Sequence, residues 1–427
     1  MKTKFKILLL ICLSAIIAQA NDRYIIILKD KNKSSSIKTS IASLKKRETT
    51  RETTREIANR LLNISQVKIS MSSSLKNNEN RVVHIYNKAL NGFSADLNPE
   101  TLQNLENNPE VESVQKSYEV IPISTQNPTP SWGLDRIDEK DRILNQQYNY
   151  NYTGKGVHVY VLDTGINYSH NEFKNRIGNG KDFLEDDTIS DDEDGHGTHV
   201  SGTILGTNYG IAKNAVVHPV RVLNDKGSLD DAIAGIEWII ANHKKPAVVN
   251  MSLGLGKIAV APAWNDAINS AINNGIVFVI AAGNSNIDAS RTSPSNVKNA
   301  IVVGASTIDD SKASYSNYGS TVDLYAPGSS ITSAWINGND NTNTISGTSM
   351  ATPHVVGVVA KYLEKYPNAT PKQVSDFIIS SSTKNKISNL GANTPNRLLY
   401  GLIDKTVIVT QPNDTAWLVP TVNLMLF

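Results

Sequence analysis

Apolar residues along this chain fall into three successive patterns. The first is at the start, where Lys2, Lys4 and Lys6 precede an apolar stretch over residues 7–17 that ends in Ala18-Gln-Ala20. This is the arrangement of a cleaved secretory signal, and the run is too short for a membrane span. From there to about residue 120 the apolar runs are short. Residues 24–28, 81–86, 93–97 and 111–120 read as strands, and residues 37–62 and 99–107 as helices. The order β-α-β-β-α-β describes a small α+β open sandwich of ferredoxin-like type. Beyond Trp132 the runs lengthen. Val157-His-Val-Tyr-Val-Leu162 and Gly275-Ile-Val-Phe-Val-Ile-Ala-Ala282 are apolar at nearly every position, as expected of parallel strands buried on both faces. Residues 349–366 space Val355, Val356, Val359, Ala360 and Leu363 with helical period, which puts Ser349 at a helix start and Pro353 in its first turn. The larger part is therefore expected to be α/β, with a mostly parallel central sheet flanked by helices.

Composition supports two packed parts. The chain has 427 residues, 40% hydrophobic and 19% charged, which excludes a disordered protein. Its single cysteine, Cys12, lies within the signal, so the mature chain is expected to have no disulfide, no thiolate metal site and no thiol catalysis. Charge is unevenly divided: residues 21–125 carry a net +4 and residues 126–427 a net −5, with +3 on the signal. Opposite charge favours association of the two parts. It also removes nucleic acid as a partner, because the positive excess lies in segments lost on maturation. A polar, proline-bearing linker, Ile121-Pro-Ile-Ser-Thr-Gln-Asn-Pro-Thr-Pro130, suits a processing site. The expected division is a signal over 1–20, a small domain with its linker over 21–125, a large domain over 126–402 and a tail over 403–427. The tail is apolar in part but short and interrupted by Pro420 and Asn423. The repeat Arg47-Glu-Thr-Thr50, Arg51-Glu-Thr-Thr54 reads as a solvated face.

Candidate chemistry lies in three distant stretches. Val161-Leu-Asp-Thr-Gly-Ile166 offers an acid, Asp194-Gly-His-Gly-Thr-His-Val200 a base, and Ser346-Gly-Thr-Ser-Met-Ala-Thr-Pro-His354 a nucleophile. A serine hydroxyl attacks only when a base removes its proton, and a neutral imidazole does so near neutral pH. The imidazole in turn needs a buried acceptor on its other nitrogen. Asp163, His196 and Ser349 meet these needs, and their order along the chain is acid, base, serine. Asn284, after the strand that ends in Ala281-Ala-Gly283, is the candidate amide for a developing oxyanion. His199 and His354 are read as helix residues satisfied by local hydrogen bonds. His84, His158, His170, His218 and His243 show no metal-ligand spacing.

With these residues the chain resembles the subtilisin-like serine proteases, within them the proteinase K branch of fungal type. The resemblance runs from about residue 24 to residue 402. It is carried by Gly195-His-Gly-Thr-His-Val-Ser-Gly-Thr203, Val248-Val-Asn-Met-Ser-Leu-Gly254, Ser314-Tyr-Ser-Asn-Tyr-Gly319, Ala326-Pro-Gly328 and the serine stretch, and in the small domain by Leu90-Asn-Gly-Phe-Ser-Ala95. It implies a subtilisin-like three-layer fold behind an inhibitor-type pro-domain, which acts as chaperone and inhibitor and is removed by the enzyme itself a few residues before Trp132. It also implies the triad Asp163, His196 and Ser349, with Asn284 in the oxyanion hole. Val200 stands where such proteins often carry a cysteine, so thiol sensitivity is not expected.

The resemblance places a peptide cleft between Ser252, Leu253 and Gly254 on one side and Ala281, Ala282 and Gly283 on the other, with Gly227, Ser228 and Leu229 as a further edge. These positions supply no carboxylate for a basic side chain, so broad endopeptidase activity on apolar or aromatic P1 residues is expected. No cofactor is expected for catalysis. Asp323 matches the carboxylate of a family calcium site completed by the carbonyls of Lys298 and Ala300. The acidic loop over residues 185–194 reads either as a second calcium loop or as a solvated one. Sequons occur at Asn32, Asn63, Asn151, Asn167, Asn250, Asn368 and Asn413; Asn151 and Asn368 are the expected glycosylation sites, and Asn250 is read as buried. The expected product is a secreted monomer acting on proteins and peptides, with a vacuole or another secretory lumen as the alternative location. A catalytically silent surface or binding protein is the second functional class. A lipase is disfavoured, because Gly-x-Ser-x-Gly is absent around Ser349.

Overall fold

The computed structural model describes residues 22–29, 53–63, 80–117, 123–256 and 258–403. The signal with Cys12, the sequons at Asn32 and Asn413, residues 37–52 of the first expected helix and the tail from residue 404 lie outside them. The chain divides into two compact units, residues 1–121 and residues 122–427.

The first unit contains β1 (Asp22–Leu28), α1 (Thr54–Leu61), β2 (Arg81–Tyr86), β3 (Gly92–Leu97), α2 (Pro99–Glu106) and β4 (Val111–Lys116). Its sheet has the order β2-β3-β1-β4, and every pair is antiparallel. Ile26 and Leu28 on alternate positions of β1 pack with Phe93, Ala95 and Leu97 of β3. Helix α1 starts at a capping box, in which Thr53 Oγ1 accepts from Glu56 N and Glu56 Oε2 accepts from Thr53 N. The end of the Arg-Glu-Thr-Thr repeat thus punctuates a helix.

The second unit runs β5 (Ser124–Gln126), α3 (Trp132–Ile137), β6 (Tyr148–Tyr150), β7 (His158–Asp163), β8 (Lys181–Asp182), α4 (His196–Leu205), β9 (Val216–Arg221), α5 (Leu229–Asn242), β10 (Ala247–Met251), α6 (Pro262–Asn273), β11 (Val277–Ala281), β12 (Ile301–Ser306), β13 (Leu324–Pro327), β14 (Ile331–Ala334), β15 (Thr342–Ile345), α7 (Thr348–Lys365), α8 (Pro371–Ser381), β16 (Thr383–Lys384) and β17 (Arg397–Leu398). Nine strands form one sheet in the order β16-β17-β13-β12-β11-β10-β7-β9-β8, parallel except for the terminal β16–β17 pair.

The continuous apolar runs divide between two cores. Val159 and Val161 of β7 pack with Val200 of α4 and Val355 and Val359 of α7, whereas Tyr160 and Leu162 pack with Ile236 of α5 and Ile268 of α6. Successive side chains point to opposite faces of a strand, so one run of valines and leucines supplies both layers. The three-layer α/β reading is met.

Two local expectations are corrected. Because α7 begins at Thr348, Pro353 stands in the second turn and not the first. The segment 124–126 is no loose linker: β5 pairs antiparallel with β6, from Ser124 opposite Tyr150 to Gln126 opposite Tyr148.

Candidate active site

Asp163 is the last residue of β7, Ser252 follows β10, and Asn284 lies three residues beyond β11. These three strands are neighbours, so their carboxyl ends form one edge, the place where open parallel sheets bind ligands. Helices α4 and α7 bring His196 and Ser349 to that edge from their first turns.

Asp163 is fully buried, and its Oδ1 accepts from His196 Nδ1 at 2.7 Å and from Thr164 N at 2.8 Å. The carboxylate holds the proton on Nδ1 and leaves Nε2 as the base. Burial disfavours the charged imidazole, but Asp163, with Asp194 and Asp192 behind it, outweighs this and raises the His196 pKa. The other two histidines of these stretches behave oppositely. Burial drives His199 and His354 down to about 4, so both rings are neutral near pH 7. His354 Nδ1 bonds locally to Met350 O, as expected; His199 Nε2 instead reaches Ile331 O on β14.

The helix that carries His196 is capped from outside. Its N-cap, Gly195, has φ 108° and no side chain to offer, and an added Cβ would meet the Trp335 ring at 2.6 Å. Asp192 supplies the missing acceptor: Oδ2 takes Thr198 N at 2.8 Å and Oδ1 takes Gly195 N at 2.8 Å and Thr164 Oγ1 at 2.8 Å. Thr164 Oγ1 in turn accepts from Gly197 N at 2.8 Å. Asp192 and Thr164 therefore lock the acid and the base to one another.

Ser349 and Asn284 line one pocket of about 190 Å³ with Ser252, Leu253, Gly254, Ala281, Ala282 and Gly283. Among the described residues no charged side chain lines it. Ser349 Oγ donates to Ser252 O at 3.0 Å. Asn284 Oδ1 accepts from Thr348 N at 2.8 Å and Thr348 Oγ1 at 2.9 Å, which fixes the amide and leaves Nδ2 as a donor beside the nucleophile. Asn317 shapes the loop beneath: Nδ2 donates to Ala282 O at 2.7 Å, and Oδ1 accepts from Ser285 N and Ile287 N at 3.0 and 3.1 Å. Gly283, at φ 99°, presses on this amide; a Cβ there would stand 2.5 Å from Asn317 Nδ2. Thr348, Asn317, Asp192 and Thr164 received no role from sequence. Their signal was present, since each stands within or beside a quoted motif, but hydrogen bonding across loops has no spacing.

Gly227 and Ser228 lie apart from that pocket lining. Gly227 forms a bridge with Leu223, and Ser228 caps α5 by accepting from Asp231 N. The acidic loop is engaged by β9: Arg221 pairs with Glu193 at 2.7 Å and Glu185 at 3.6 Å, and with Asp182 of β8 at 2.9 Å. Among the described residues no group of three or more His, Cys, Asp or Glu side chains is placed to hold a metal. His158 and His218 do meet, at 2.9 Å, but His218 Nδ1 is taken by Asn179 O.

Asp323 closes the connection from β12 to β13. Its Oδ2 accepts from Val302 N at 2.9 Å, and burial pushes its pKa up to about 6. Arg397 donates to the main-chain oxygen of Asp323 at 3.1 Å, not to the carboxylate. The carboxylate lies in the field of Arg397 without a side-chain ion pair, and a desolvated oxygen donor of this kind fits a hard cation. Of the sequons, Asn250 is fully buried in β10, as expected, and Asn368 is exposed. Asn151 is tied to Ile403 by two hydrogen bonds, which does not suit a glycan acceptor.

Comparisons with known proteins agree with this geometry. Residues 154–400 match the family profile described as "Subtilase family", and residues 23–121 match "Peptidase inhibitor I9". The "Extracellular serine proteinase" of Thermus sp. (strain Rt41A) is 50% identical over 322 residues, 75% of this chain and 78% of that protein. "Alkaline serine exoprotease A" of Vibrio alginolyticus is 43% identical over 76% of this chain and 61% of its own length. "Crystal structure of a cold adapted subtilisin-like serine proteinase" describes a solved chain that is 48% identical, with TM-score 0.62, over 64% of this chain and 98% of that one. The chain belongs to the subtilase family and is a subtilisin-like serine endopeptidase with an inhibitor-type pro-domain.

Proposed function

We propose that the protein is a secreted endopeptidase, made as a zymogen, in which Ser349 is the nucleophile, His196 the general base, Asp163 its orienting acid and Asn284 an oxyanion donor. The observation that carries this reading is the 2.7 Å Asp163–His196 bond at the same sheet edge as the pocket shared by Ser349 and Asn284. During attack, Ser349 Oγ forms a bond to the scissile carbonyl carbon and its proton passes to His196 Nε2. The carbonyl oxygen becomes an oxyanion, received by Asn284 Nδ2 at the N-terminal end of α7, where the helix field also favours negative charge. Asp163 stabilises the imidazolium. The proton then goes to the leaving amine as the C–N bond breaks, and water repeats the steps to free the acyl group.

A pocket walled by Gly254, Ala281 and Gly283, with no charged side chain among its described lining residues, supports apolar or aromatic P1 residues. A peptide added as an extended strand along Ser252–Gly254 fits such walls, with Gly227 and Ser228 as an outer edge. The pro-domain, from residue 21 to the linker before Ser124, serves as intramolecular chaperone and inhibitor. The pairing of β5 with β6 supports a processing bond at or before Ser124. Calcium at Asp323, with the carbonyls of Lys298 and Ala300, is proposed as a structural ion; it should raise the melting temperature of the wild type but not of Asp323→Asn. Asn368 is the proposed glycan site, and a monomer the proposed state.

The decisive experiment is labelling with a serine-directed phosphonate, followed by peptide mapping. One adduct on Ser349, lost in Ser349→Ala, is expected. A properly folded mature protein that takes no label would leave the silent binding protein as the reading.

A further inference from the structure

We infer that Ser252 is a positioning residue for the nucleophile, required because Pro353 removes the hydrogen bond that α7 would otherwise give to Ser349. The inference rests on Ser349 being the nucleophile and adds how it is held in place.

In an α-helix each carbonyl accepts from the N–H four residues on. For Ser349 that residue is Pro353, which has no N–H. The helix nonetheless continues to Lys365, so the carbonyl of the reactive serine lacks its regular donor inside an otherwise intact helix. Such a group is costly if nothing replaces the bond. Ser252 replaces it: its Oγ donates to Ser349 O at 2.9 Å. The opposite bond is also present, since Ser349 Oγ donates to Ser252 O at 3.0 Å. Each serine therefore gives its hydroxyl to the other's main-chain carbonyl. The first bond fixes the backbone of Ser349; the second rests its hydroxyl on the Ser252 carbonyl, a bond given up when the proton passes to His196.

A third residue directs the pair. Asn250 is fully buried in β10, and its Nδ2 donates to Ser252 Oγ at 3.0 Å. With that lone pair occupied, the Ser252 proton is turned toward Ser349 O. The sequence of donors runs from Asn250 to Ser252 to Ser349, from the sheet into the helix. This ties α7 to the end of β10, next to β7, which holds Asp163, and β11, which leads to Asn284. A serine that served only as a wall for peptide would need none of these bonds.

The two roles separate in a double-mutant cycle with Ser252→Ala and Pro353→Ala. The readouts are the rate of Ser349 labelling by a small serine-directed phosphonate, which needs no peptide subsites, and kcat and KM on a peptide anilide. Ser252→Ala should lower the labelling rate and kcat about tenfold, with KM changed by less than about twofold. Adding Pro353→Ala should restore most of the loss, because an alanine in place of the proline offers Ser349 O the missing N–H, and Pro353→Ala alone should cost less than Ser252→Ala. Ser252→Cys, similar in size but a weaker donor, should fall between, and serves as the measurement if Ser252→Ala does not fold. An unchanged labelling rate in the Ala variant, or in Cys where Ala is unfolded, overturns the inference, as does a loss that Pro353→Ala leaves unrestored. Failure of the wild type to label at Ser349 would instead remove the nucleophile assignment itself.

Discussion

His196 Nδ1 stands 2.7 Å from Asp163 Oδ1, and the carboxylate raises the pKa of that imidazole although the ring's surroundings are desolvated. The base acts only when neutral, so activity should be lost as pH falls through the raised pKa. The acidic limb of kcat/KM is expected above the ordinary histidine value of about 6.5. Asp194 contributes to the rise, and Asp194→Asn should move the limb down, with a smaller displacement at high salt. A pH–rate profile at two ionic strengths reads both effects, and an unmoved limb would show that Asp194 does not act on the base.

Asn284 is anchored through Oδ1 on Thr348, so only its Nδ2 faces the pocket. Asn284→Leu should lower kcat about 10²–10³-fold with little change in KM, the loss expected when one donor to a developing oxyanion is removed. Steady-state kinetics decide it. A large KM effect with kcat intact would place Asn284 in substrate binding instead.

Maturation should depend on the same serine. Ser349→Ala, expressed in a host without related proteases, should accumulate as a precursor that still contains the pro-domain. N-terminal sequencing of wild-type secreted protein should begin at or before Ser124, because later cleavage would cut through β5 and discard its pairing with β6. Mature-size Ser349→Ala protein would show that another protease makes the cut.

The isolated pro-domain, residues 21 to about 120, should inhibit the mature enzyme. A +4 polypeptide meeting a −5 partner gains attraction that salt screens beyond about 8–10 Å at physiological strength. Inhibition should therefore weaken at high salt without vanishing, since apolar contact is not screened. Absence of inhibition at either salt concentration would sink the inhibitor role; salt-independent inhibition would sink only its electrostatic part.

Lys361 is fully buried in α7, donates to Tyr148 Oη at 3.0 Å and Gly401 O at 2.8 Å, and has its pKa lowered by burial to about 7. Between about pH 7 and pH 10.5 the unfolded chain keeps a proton that the folded chain has released, so stability rises with pH across that window. The melting temperature of the phosphonate-inactivated wild type, relative to Lys361→Met, should climb by several degrees from pH 7 to pH 10. A constant difference would mean that Lys361 stays charged in the folded protein.

The elements and the candidate groups of the site were legible in the chain alone. Continuous valine and leucine runs can be buried only between two layers, and the acid, base and serine are recognisable because glycines and small residues must surround them for a peptide to approach. The small domain was equally legible from alternation. Contacts between distant segments came from the fold and from nothing shorter. Asp192 caps a helix whose own N-cap is a bare glycine, Asn317 holds the loop under Asn284 from 33 positions later in the chain, and Ser252 repairs a bond that Pro353 breaks. Gly227 and Ser228, read as a cleft edge, also bridge Leu223 and cap α5, roles that no motif announced. The reason is physical: burial and period act along the chain and leave a pattern in it, whereas a hydrogen bond between two loops depends on where the fold brings their ends, and any of several polar residues in sequence has the atoms to make it.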